Sequence, residues 1–140
     1  MGAPQEPGRT RWRSITRTIG GLMLLTTGAF LGAALIHFGM VIALGPITIA
    51  DPFPGAAIPE AIIAVVLGIG ALSVLARRPA RWGVALATTL FALLVTIYGL
   101  TVTVGSARTG DIMYHVSVLV LLGVIATLLL LPAGRHGLSG

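Results

Sequence analysis

The chain has no cysteine and no lysine, only four acidic residues, and charged residues make up 9% of its 140 positions. Without cysteine there can be no disulfide, thiolate metal site, cysteine nucleophile or lipid-bearing thiol. So little charge cannot clothe a soluble domain of this length. Aromatic residues are scarce as well, at 6%. No basic patch with interleaved aromatics exists to hold a nucleic acid, and none is expected as a partner. Catalytic signatures are missing too: there is no G-x-S-x-G elbow, Walker loop, dinucleotide fingerprint, H-E-x-x-H or C-x-x-C-H. The glycines of GLMLLTTGAFLGAAL are separated by apolar residues and cannot cradle a phosphate.

What remains is apolar. Hydrophobic residues make up 56% of the chain and the mean hydropathy is +1.00. Four segments, about 19–44, 58–76, 83–104 and 112–131, are each long enough to cross a hydrocarbon core of about 30 Å as a helix. The fold class expected is all-α: an antiparallel four-helix transmembrane bundle in residues 17–132, with the lipid bilayer as its solvent. Residues 1–16 hold prolines, glycines and few apolar side chains, and are expected to form a disordered basic arm until Trp12 meets the interface. Residues 133–140 are expected to form a polar tail after Pro132 and Gly134 end the fourth helix. The first apolar run is too long for the core of a cleaved signal peptide.

All nine basic residues are arginine, within a net charge of +5. Arg9, Arg11, Arg13 and Arg17 precede the first span, Arg77, Arg78 and Arg81 separate the second from the third, and Arg135 follows the fourth. Only Arg108 lies in a loop of opposite side. The positive-inside rule therefore puts both termini and the middle loop in the cytoplasm of a cell whose inner membrane holds the protein. Pro46, Pro52, Pro54 and Pro59 break the first loop, with Pro59 suited to the first turn of the second helix. Asp111 suits the N-cap of the fourth.

Small residues repeat at helical spacing. Gly21, Gly28, Gly32 and Gly39 align on the first span, Ala57, Ala61, Ala64, Gly68 and Ala71 on the second, and Ala85, Thr89, Ala92, Thr96, Gly99 and Thr103 on the third. Such seams let membrane helices approach one another, and one of them can serve another membrane subunit or self-association. Ser73, Ser117, Thr88 and Thr127 are expected to bond carbonyls of the preceding turn.

The topology gathers the polar residues away from the arginines. His37, Glu60, Tyr98 and His115, one from each span, reach similar depth on the side opposite the arginines, with Asp51, Asp111 and Tyr114 nearby. Ionisable groups below a membrane surface are costly, so this layer is where a site would be. Asp111 and His115 share a face, and the carboxylate can accept an imidazole N–H. At about 100° per residue, however, His37 points about 160° from the glycine groove of its own helix, so groove and histidine cannot face the same neighbour.

Three readings fit the layer. His37, His115, Glu60 and Asp111 form a metal set, with haem as an alternative or with Met40 and Met113 as soft ligands for copper. Glu60, Tyr98 and His115 can serve proton-linked transport or quinone chemistry. The reading that asks least is structural: Glu60 and Asp111 cap helix N-termini, Tyr114 joins an interfacial aromatic belt, and no cofactor is bound.

With a histidine in ALIHFG, a proline-led acid in AIPEAII and the DIMYHVSVL start of the last span, the chain resembles small integral membrane proteins of high-GC bacteria. In architecture it is loosely similar to the DoxX-like group. The resemblance implies a bacterial inner membrane and no defined reaction. The role expected is a non-enzymatic accessory or assembly subunit of a membrane complex, with redox or ion handling in the outer leaflet as the alternative.

Overall fold

The computed structural model describes residues 7–105 and 108–138, with side chains from Ser14 onward. Helix α1 spans Pro7–His37, strands β1 (Ile42–Leu44) and β2 (Ile47–Ile49) form a hairpin, and helices α2 (Pro54–Leu75), α3 (Arg81–Gly105), α4 (Thr109–Leu130) and α5 (Pro132–Leu138) follow. Ser14–His37 and the whole of α2, α3 and α4 are long and apolar enough to cross a membrane. The four long helices pack in sequence order, and α1 closes the bundle against α4. An all-α bundle of four candidate spans is therefore the fold. The expectations for residues 1–6 and for the side chains of Arg9, Arg11, Trp12 and Arg13 lie outside the described residues.

Several boundaries differ from the sequence reading. The first span ends at His37 instead of reaching Leu44, because Gly39, at φ +101°, turns the chain in the left-handed region. The Gly39 amide donates to Ile36 O and the Met40 amide to Leu35 O, both at 2.9 Å, which is the paired bonding of a Schellman stop. Gly39 is thus a helix terminator and not part of a packing groove. Beyond it, Ile42, Ala43 and Leu44 pair with Ile49, Thr48 and Ile47 across Gly45–Pro46. Gly45 at φ +61° followed by proline's fixed negative φ is the combination a type II′ hairpin turn needs.

At its other end the chain holds more helix than expected. Helix α1 begins at Pro7, inside the segment read as a disordered arm. The tail, read as a polar segment after the fourth helix, is helix α5, whose Leu138 is buried in the core. It docks closely: a Cβ on Gly134 would lie 1.9 Å from Leu128 O. Arg81 donates from Nε to Leu138 O and from Nη2 to Gly137 O, both at 3.1 Å, which satisfies carbonyls that the last turn leaves open. Trp82 Nε1 donates to Leu129 O at 2.9 Å, so it ties α3 to α4.

The seams of α2 and α3 point inward. Ala57, Ala64, Ala71, Ala85, Thr89, Ala92, Thr96 and Thr103 are all buried. Phe30, Leu67, Leu122, Ile125 and Leu129 fill the space between them. The seam of α1 does the opposite: nothing lies within 4 Å of a Cβ placed on Gly21, Gly28 or Gly32. Close approach on α1 is made instead by Gly20, where such a Cβ would sit 2.6 Å from Leu75. The hydroxyls of Ser73, Thr88, Ser117 and Thr127 bond carbonyls three or four residues back, as their chemistry in an apolar helix requires.

Candidate functional site

The Schellman stop fixes His37 as the last residue of α1, and α2 starts early enough to bring Glu60 beside it. Pro54 opens α2, so Pro59 lies inside the helix and Glu60 a turn and a half from its start. Glu60 is therefore no N-cap. Its Oε2 lies 2.7 Å from His37 Nδ1, and the two side chains are 4% and 5% exposed. The Phe53 amide donates to His37 O at 2.9 Å, and the Phe53 ring stands edge-on to the imidazole, which fixes the ring from the loop side.

The other face of the imidazole meets two more acids. His37 Nε2 is 3.7 Å from Asp111 Oδ1 and 3.9 Å from Asp51 Oδ2. Arg108 donates to both aspartates and stacks over Phe53, with its guanidinium carbon 4.5 Å from the ring centroid. Bonding to Asp51 first and Asp111 second pushes the guanidinium above its ordinary range, so it stays charged. Asp111 lies in the first turn of α4, but that turn has no side-chain cap, and the carboxylate serves Arg108. Three carboxyl groups thus face one guanidinium and one imidazole. A protonated His37 leaves one negative charge in excess, and a proton on Glu60 removes it.

His115 stands apart from this group. Its Nδ1 donates to the backbone oxygen of Asp111 at 2.7 Å, not to the carboxylate. Since a carbonyl can only accept, the neutral ring carries its proton on Nδ1 and a lone pair on Nε2. That nitrogen would lie 3.0 Å from a Cβ on Gly99, so the missing side chain makes room for it. Tyr98 is 70% exposed and joins no polar group of the cluster. Tyr114 turns inward instead of forming a belt: its ring meets Phe30 edge-on, and its hydroxyl lies 3.5 Å from Ala29 O.

The metal set read from the sequence is regrouped. Among the described residues, His37, Asp51 and Asp111 bring donor atoms within 4.8 Å of one another, while His115 and Glu60 are not in that group. Both aspartates already hold Arg108, so a cation there would have to expel a guanidinium from its two acceptors. Met40 and Met113 are exposed and bring no sulfur to either histidine. The arrangement is an ion-paired cluster with an imidazole at its centre. Asp51 went unnoticed as a partner of His37 because it lies fourteen positions along the chain, on a loop that the sequence reading left without structure.

Below the cluster is a cavity of about 160 Å³ between α1, α2, α3 and α4. Glu60 and His115 line it, together with Phe30, Phe53, Ile63 and Val95. Glu60 Oε1 is buried and has no hydrogen-bond partner. No protein-family model matches the chain, and no curated protein and no solved structure matches it either.

Proposed function

We propose that the protein is an ion-handling membrane protein that exchanges a proton between the aqueous surface at the hairpin end and the buried Glu60. One observation carries this: His37 bridges an accessible acid to an inaccessible one through its two nitrogens. Asp51, whose side chain is 45% exposed, lies 3.9 Å from Nε2, and Glu60 lies 2.7 Å from Nδ1. An imidazole can take a proton on one nitrogen and release another from the second. Glu60 receives it with one oxygen still unpartnered.

The infrared spectrum of the purified protein in detergent tests this. A protonated-carboxyl stretching band that responds to bulk pH, disappears in Glu60→Gln and ceases to respond in His37→Phe is the expected result. A Glu60 band that stays constant over the whole pH range of stability would overturn the proposal.

The arginine asymmetry supports a hairpin end outside and both termini in the cytoplasm of a bacterial inner membrane, the location that the resemblance to small bacterial membrane proteins of DoxX-like architecture implies. The chain has no native cysteine, so single replacements can be labelled without background. Thr48→Cys is expected to react with an impermeant maleimide on intact cells, and Arg78→Cys only after lysis. The reverse pattern would invert the protein.

A second reading, that of an accessory subunit, rests on the open glycine face of α1. Another membrane helix can approach Gly21, Gly28 and Gly32 closely, because nothing of this chain stands within 4 Å of a Cβ there. Crosslinking from that face in native membranes, compared with Gly28→Leu, tests it. Crosslinks to another chain that vanish in the variant are expected.

A further inference from the structure

We propose that the cavity between α2 and α3 binds a ring-sized, membrane-soluble molecule bearing a hydroxyl, of the phenol class, with the hydroxyl directed to Glu60 and His115. The size comes first. A cavity of about 160 Å³ is close to the volume that holds benzene in an engineered apolar cavity. It is too small for a macrocycle and too large to be left as a packing defect among closely packed side chains.

The walls give the chemistry of the body. Phe30, Phe53, Ile63 and Val95 are apolar, and the two phenylalanines can meet an aromatic ring edge-on or offset. The Thr96 and Thr103 hydroxyls in the wall already donate to Ala92 O and Gly99 O, whereas Glu60 and His115 each present an acceptor without a donor. Glu60 is 3% exposed, and its Oε1 is buried without a partner. Among the described residues His115 Nε2 makes no hydrogen bond, and the Nδ1 bond to Asp111 O leaves it as a lone pair. A water would satisfy these groups but leave the apolar volume empty, and an apolar ring would fill the volume but leave the acceptors unpaired. A phenolic hydroxyl on a ring fills the volume, gives its one hydrogen to His115 Nε2, and accepts from Glu60 Oε1 when that carboxyl holds the exchanged proton.

The mouth gives the route. Gly55, Pro59, Tyr98 and Val102 line the cavity and are themselves exposed, so it opens between α2 and α3. Those helices are candidate spans, and the opening therefore faces lipid. A ligand dissolved in the membrane can enter without crossing water. This assignment rests on the proton-exchange reading in one respect: Glu60 must offer its second oxygen to the ligand.

Fluorine NMR of the purified protein in detergent, with para-fluorophenol and para-fluorotoluene as probes, tests the proposal at fixed pH. The phenol is expected to give a saturable bound resonance about tenfold tighter than the toluene, the preference one hydrogen bond to a strong acceptor confers. His115→Phe keeps the wall apolar and should bring the two probes to similar affinity. Ala56→Phe fills the cavity and should remove saturable binding of both, while Arg81→Gln at the far end should change neither. Equal affinity of the two probes in the unaltered protein would overturn the hydroxyl assignment. Binding that Ala56→Phe leaves intact, in a variant whose Glu60 band still titrates, would overturn the cavity as the site. A Glu60 band that titrates in a protein binding neither probe would retain proton exchange and reject only the ligand.

Discussion

The two ends of the bundle solve opposite problems. At the arginine end, charge is spent on closure: Arg81 donates to the last carbonyls of α5 and Arg135 lies 5.3 Å from the Trp82 ring centroid. Arg81, Trp82 and Arg135 reach backbone carbonyls or a ring there. At the hairpin end, charge answers charge. His37, Glu60, Asp51, Asp111 and Arg108 belong to five different elements or loops, and their interactions are mostly between side chains. Backbone partners can be satisfied once and left alone, whereas acids and imidazoles trade protons. The difference teaches that one end is tied by contacts to backbone and ring, while the other gathers groups able to exchange the proton that the proposed function assigns to it.

Substitutions at the two ends should separate these roles. The largest effect is expected from Glu60→Ala, which leaves the buried His37 Nδ1 without its partner, a loss of about 3 to 5 kcal/mol. Thermal unfolding in detergent should record it, with Glu60→Gln milder because an amide still offers His37 an oxygen. Gly134→Val comes next. Its first carbon would collide with Leu128 O, so α5 should undock at a cost of about 3 kcal/mol, read as new protease sensitivity of the C-terminus. Arg81→Ala removes two hydrogen bonds to carbonyls from a buried guanidinium and should cost about 2 kcal/mol in the same melt. If Arg81→Ala matched Glu60→Ala, the contrast between the ends would fail.

Smaller effects sharpen the comparison. Asp51→Asn should lower stability by less than about 1 kcal/mol, since the carboxylate is 45% exposed and its pairing is screened. It should nevertheless slow the pH response of the Glu60 infrared band, because the outermost acid of the relay is gone. Gly28→Leu should change the melt by no more than about 0.5 kcal/mol, as the position faces open space. A large loss there would mean that the glycine face of α1 packs within the bundle.

Much of the fold was legible because hydropathy and length speak for each span on their own. The seams of α2 and α3 were legible too, since runs of alanine, glycine and threonine at helical spacing mark a close approach. The seam of α1 carries the same pattern and faces outward. In lipid both sides of a helix can be apolar, so spacing identifies a smooth face without saying whether protein or membrane covers it. His37, lying about 160° from that seam, held the resolving clue: a buried histidine obliges the glycines opposite to face out.

The hairpin was missed although its signals are in the chain. VIALGPITIA places β-branched residues on both sides of a Gly-Pro pair, and Gly39 follows closely on the end of the helix. The apolar run masked both, because a membrane span and a short apolar strand have the same composition. With the hairpin missed, Asp51 was placed near the layer but not beside His37, and the cluster lacked its accessible member.

The sequence by itself determined that the chain is apolar enough for four spans, that its basic residues are confined almost wholly to one end, and that most of its acids and histidines collect at the other. These follow from composition and from distance along the chain, which need no partner to be read. Only the tertiary structure decided that His37 pairs with Glu60, that Arg108 takes Asp51 and Asp111, and that His115 turns its lone pair toward a cavity. The reason is rotational: a few tens of degrees about each helix axis move a side chain from lipid to core, and that angle is set by packing against neighbours. Four polar residues at one depth made a layer in the sequence. Packing divided that layer into an ion-paired cluster, a pocket and a tyrosine left facing out.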